Sequence, residues 1–184
     1  MDDTKTKILN YGGLMMILVF MLTSCGMKKE EIKKMDLVKQ VDLERYMGTW
    51  YEIARFPNSF EKNLVGVTAT YSLKENGKVD VLNQGYKNSL DGKLEKAKGF
   101  AKLPDKSQPG WLKVYFFWPF GGDYLILELD QENYQYVLVG SPKKDYLWIL
   151  SRTPKMEQAT YDLLVARAKE RGYDVSKLQM VEQK

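Results

Sequence analysis

Histidine is missing from all 184 residues, and cysteine occurs once, at Cys25. That removes the commonest general base and the commonest metal ligand, and it excludes metal sites built from Cys and His. Acids and tyrosines remain, yet no paired-carboxylate motif stands out. The chemistry left is that of contact. Trp50 lies in Gly48-Thr49-Trp50, just inside the globular part, and Arg152 lies in Leu150-Ser151-Arg152-Thr153-Pro154, before the last helix-like segment. A guanidinium stacked over an indole makes a cation–π pair. Only short, alternating, strand-like runs separate the two, so the pair would pin a first strand to a last, as a closed sheet requires.

The elements that must hold this pair follow from alternation and turn residues. Asp42 to Met47 reads as one helical turn with Asp42 as N-cap, closed by Gly48. Strands are expected at 49–56, 66–73, 79–87, 94–103, 111–118, 123–130, 134–141 and 145–151. Glu75-Asn76-Gly77 and Leu90-Asp91-Gly92 mark hairpins. Thr153 is expected to cap a helix with Pro154 at its first position, a stripe of Met156, Ala159, Leu163 and Leu164, and an end at Arg171-Gly172. A short edge strand follows at 178–181. The fold class is all-β: an eight-stranded up-and-down antiparallel β-barrel with a C-terminal α-helix packed outside.

The chain start has another character. Lys5 and Lys7 precede an apolar run, Leu14 to Leu22, and then Thr23-Ser24-Cys25-Gly26. This predicts a secretory signal over residues 1–24, too short to span a bilayer as a mature anchor. Leu22-Thr23-Ser24-Cys25 resembles a bacterial lipobox, which would make Cys25 a diacylated, then triacylated N-terminus. Residues 25–41 read as lipidated terminus and flexible tether, Lys/Glu-rich and short of apolar residues. The barrel and helix occupy 42–184. With Cys25 acylated, no disulfide is available to the domain. The net charge of +4 is too small and dispersed to indicate nucleic acid.

Gly48 to Pro57, Val81 to Tyr86 and Asp145 to Pro154 together resemble the lipocalins, in particular the bacterial outer-membrane lipocalins close to apolipoprotein D. Gly48, Trp50 and Arg152 match the family signature; Leu129-Asp130 with Asn133-Tyr134 stands where its second motif lies. The resemblance implies a role in binding, and holding or moving, fatty acids, lysophospholipids or similar amphiphiles. It also implies an outer-membrane, periplasm-facing location and a homodimer; with no histidine and no barrel cysteine to ligate one, no cofactor is expected.

Inward-facing residues follow from parity with Trp50 and Arg152, and from the resemblance for Tyr71 and Asn83. The expected ligand-binding set is Ala54, Val67, Ala69, Tyr71, Val81, Asn83, Val114, Phe116, Tyr146 and Trp148, with Trp118 also taken to point inward. Such a lining is apolar with a few polar points, as a lipid site requires. Glu52 shares the inner face and needs a partner, Arg152 or a tyrosine hydroxyl. Tyr115 and Phe117 point outward and Phe120 lies in the following loop; the three mark a membrane or dimer surface, or lie beneath the helix or a loop. A structural lipoprotein with a filled barrel is the alternative reading. A lipid-modifying enzyme is a third, and it lacks a barrel thiol or a histidine.

Overall fold

The computed structural model describes residues 29–184. The expected signal segment and Cys25 lie outside the described residues. Residues up to Met35 and Asp36–Lys184 form two compact units. In the first, described residues 29–33 make a helical turn. The second holds α1 (Leu43–Tyr46), β1 (Gly48–Arg55), β2 (Leu64–Leu73), β3 (Val79–Lys87), β4 (Leu94–Lys102), β5 (Trp111–Phe117), β6 (Phe120–Leu129), β7 (Tyr136–Gly140), β8 (Leu147–Ser151), α2 (Gln158–Glu170) and β9 (Gln179–Met180). Each strand from β1 to β8 pairs antiparallel with the next, and β8 returns to β1. The eight-stranded up-and-down barrel expected from the sequence is present, with β9 added beside β1.

Period-two alternation builds two cores from one sheet. Inside, Trp50, Val79, Ala101, Leu112, Ile126, Val137, Val139 and Leu150 form one buried cluster. On the outer face, Leu125, Leu138, Leu147 and Ile149 are equally buried. There α2 packs against β6, contributing Leu164 and Ala168. Gly140 leaves room for Tyr173: a Cβ there would lie 2.3 Å from the Tyr173 hydroxyl, which donates to the Ser141 carbonyl at 2.9 Å.

Four expectations need correction. The helix begins at Gln158 after Glu157, because the Thr153 hydroxyl donates to the Lys155 carbonyl at 2.6 Å and closes a bend. Of the expected stripe, Leu164 is buried, Leu163 is 43% exposed, and Ala168 completes the contact one turn on. The tether ends early: Leu37 is buried, the Val38 N–H donates to Ile126 at 3.1 Å and the Gln131 amide to Gln40 at 3.2 Å. The fourth concerns parity. β1 carries an extra residue at Ile53, with Glu52 opposite Leu150 but Ala54 opposite Ile149. Alternation slips by one at such a bulge. Ala54 therefore joins Ile149 on the outer face, and Arg55 faces inward opposite Trp148. A second irregularity, between Tyr115 and Phe117, turns Trp118 out of the barrel; it is 68% exposed.

The β1–β2 pairing stops at Tyr51↔Thr68. Beyond it β2 bulges at Gly66, whose φ of +58° suits glycine. The C-terminal segment fills the split. The Val181 N–H donates to Ile53 at 2.9 Å and the Gly66 N–H to Glu182 at 2.6 Å. The Gln183 amide bridges the carbonyls of Glu52 (2.6 Å) and Val67 (3.1 Å).

Candidate ligand-binding site

The closed end is a stopper built by the signature residues. The Arg152 guanidinium carbon lies 3.8 Å from the Trp50 ring centroid. Its nitrogens donate to the carbonyls of Thr49 (3.1 Å), Arg45 (2.7 Å) and Tyr134 (3.2 Å). Gly48, at φ +92°, lets Arg152 approach: a Cβ there would stand 3.3 Å from Nη1. Asp42 caps α1 through the N–H groups of Glu44 and Arg45, and its own N–H donates to the Tyr134 hydroxyl at 2.9 Å. The Trp50 indole donates to Tyr46 at 2.9 Å. Asp130, in the segment matched to the second motif, accepts from the N–H groups of Glu132, Asn133 and Gln135. All three signature segments meet here.

Next to this stopper, Tyr46, Tyr71 and Tyr124 gather their hydroxyls. Tyr46 and Tyr124 are 2.7 Å apart, Tyr71 and Tyr124 3.1 Å. Burial pushes all three phenols up, Tyr71 to about 12, so they are neutral. Three hydroxyls making two mutual bonds leave one O–H to donate elsewhere. About 10 Å³ of space remains among Tyr46, Tyr71, Val79, Leu112 and Tyr124, room for a single water. This half of the barrel is packed.

The half beyond is different. Ala69, Asn83, Val114, Phe116 and Trp148 are only half-buried, while Ile126, Val137 and Val139 are sealed. Gly122 sits opposite Val114, and a Cβ on it would meet nothing within 4 Å. Asn83 Oδ1 is buried and finds no partner among the described residues. Val67 and Val81 are buried in the same wall. Tyr146 and Trp148 stack at 5.7 Å, and Phe60 of the β1–β2 loop covers both at 5.6 and 6.4 Å.

One wall is ionic. Arg55, placed inward by the bulge, donates to Glu52 at 2.5 Å and to the carbonyls of Glu61 (3.0 Å) and Leu64 (2.9 Å). Glu61 accepts from the Trp148 indole at 3.1 Å and from Asn58 at 2.5 Å. The partner of Glu52 is thus Arg55, not Arg152 or a tyrosine. Arg55 pairs with the Glu52 carboxyl and reaches Glu61 at its backbone carbonyl. Burial first, then the Glu61 charge, hold the Glu52 carboxyl well above the usual carboxylate range against the pull of Arg55. This cluster ties the loop carrying Phe60 and Glu61 to the barrel wall.

Of the ten expected lining residues, Ala54 stands outside and the other nine share the inner wall or its rim. Sequence reasoning missed Tyr124, Arg55 and Glu61. Tyr124 has the parity of Ile126 and was there to be read; Arg55 needed the bulge, and Glu61 sits in a loop with no periodicity.

A family model described as a lipocalin-like domain matches residues 41–183. The outer membrane lipoprotein Blc of Vibrio cholerae is 42% identical over 163 residues, covering 89% of this chain and 93% of that protein. The temperature-induced lipocalin-1 of Arabidopsis thaliana is 47% identical over 157 residues, 80% of this chain and 82% of that one. Apolipoprotein D of Mus musculus is 38% identical, with 77% of each chain covered. Among solved structures, insecticyanin from the tobacco hornworm Manduca sexta shares the fold at a TM-score of 0.65 and 22% identity, covering 82% of this chain and 85% of that one. With its signature residues joined at one end and its relatives aligned along more than three quarters of their length, this chain belongs to the lipocalin family.

Proposed function

We propose that this lipocalin holds an acyl-chain amphiphile, such as a fatty acid or a lysophospholipid, in the open half of its barrel, at the envelope membrane to which acylated Cys25 ties it. One observation carries the reading: an apolar inner wall left partly accessible above a packed floor, with Gly122 facing open space. The chain would lie against Val114, Phe116, Val81 and Trp148. A carboxylate or ester oxygen of its polar end would accept from the spare tyrosine O–H, and a ligand hydroxyl would donate to the unpartnered Asn83 oxygen, groups that orient without adding charge. The names of the bacterial relatives, outer membrane lipoproteins, support the location, as does the lipobox.

The test is native mass spectrometry of protein produced from Gly26 onward, followed by denaturing lipid analysis. Near-stoichiometric fatty acid or lysophospholipid is the expected result. Burial of each methylene is worth about 0.8 kcal/mol, so affinity should rise about four-fold per added CH₂ until the space is full. A flat series across chain lengths, read by Trp148 fluorescence, would favour a filled structural barrel instead.

A further inference from the structure

At the open end, Phe117, Trp118 and Phe120 of the β5–β6 hairpin are 81, 68 and 80% exposed. Neither α2 nor a loop covers them. Beneath them the outer wall continues with Phe100 stacked on Tyr115 at 4.9 Å, and Lys102 lies 5.7 Å from the Trp118 ring. Around the same end the other loops carry exposed Lys62, Lys93 and Lys143. Aromatic rings flanked by lysines suit the headgroup zone of an anionic bilayer. A second copy docked here about a twofold axis would set the same lysines against one another.

The barrel is also incomplete beside this hairpin. β4 pairs with β3 over eight positions, from Val79↔Ala101 to Tyr86↔Leu94, but with β5 over three, Phe100↔Tyr115 to Lys102↔Lys113. The outer half of β4 has no strand on that flank. Ala97, which faces inward opposite Asn83, is exposed. The inner wall is thus accessible from the side at Ala97.

We propose that this face docks on an anionic bilayer through Phe117, Trp118 and Phe120, and that the β4–β5 gap is a side door through which an acyl chain passes between bilayer and barrel. The door rests on the lipid-binding reading above; the docking does not. Protein from Gly26 onward, without acyl chains, is floated with vesicles of equimolar phosphatidylcholine and phosphatidylglycerol. Wild type should float, and the triple variant Phe117→Ser, Trp118→Ser, Phe120→Ser should lose about ten-fold in binding. Its uptake of a fluorescent fatty acid from vesicles should slow as much, with affinity from solution unchanged. Ala97→Trp, placing a ring in the gap, should lower association and dissociation rates together. Wild type that fails to float, or a triple variant that floats equally, overturns the docking. So does sedimentation showing a wild-type dimer that the variant breaks. An Ala97→Trp affinity change with an unaltered association rate overturns the door. Wild type that floats yet binds no fatty acid from solution removes the lipid-binding reading and the door with it, and leaves the docking standing.

Discussion

Glu52 is the residue on which pH acts. Its folded pKa is raised above an ordinary value of about 4.5. A group shifted this way stabilises the fold fully below its unfolded pKa, and that contribution is lost as pH rises through the folded value. Within that window stability should fall by up to about 1.4 kcal/mol per pH unit. Glu52→Gln keeps the neutral shape at every pH, so urea unfolding across the window should show a flatter slope than wild type. An unaltered slope would move the proton elsewhere. Tyr124 is the shared member of the hydroxyl trio. Tyr124→Phe keeps the ring but strands the hydroxyls of Tyr46 and Tyr71, a cost of about 1–3 kcal/mol readable in thermal unfolding.

Among the elements, bulges decide what faces the ligand. Gly66 anchors one at φ +58°, and a Cβ there would lie 3.0 Å from both Leu90 and Tyr86 side-chain carbons. Gly77, at φ +75°, has nothing within 4 Å. Gly66→Ala should therefore cost more than the roughly 1 kcal/mol expected of Gly77→Ala, and the difference between their unfolding free energies measures the clash. Bulges also explain what was legible in the chain. Strand order, the Trp50–Arg152 pair, Ala69 and Tyr71 on β2 and the inner faces of β3 and β8 could be read from alternation and motif, because pairing there runs in register across the residues concerned. Ala54 and Trp118 could not. Each lies just past an inserted residue, and an insertion is defined by the partner strand, which local alternation does not contain. The helix start was misread for a related reason: the Thr153 hydroxyl has two uses, cap or bend, and Pro154 permits both.

At the scale of the whole molecule, one sheet serves two cores, and no cysteine among the described residues can cross-link them. Closure rests on the stopper at one end and on the C-terminal segment at the other. Removing residues 179–184 should leave the stopper intact and the β1–β2 split unbridged. The expected result is lower stability and new proteolytic cleavage between Ile53 and Gly66; an unchanged cleavage pattern would show that the split holds without its strap. That strap has a consequence in time. The wall begun by β1 is finished by residues 179–183, made long after it. Until those residues are made β1 carries a bare flank, and a bare flank is a template for pairing with another chain. A copy that contains residues 179–184 passes through this exposure briefly; a copy that stops short of Gln179 never leaves it.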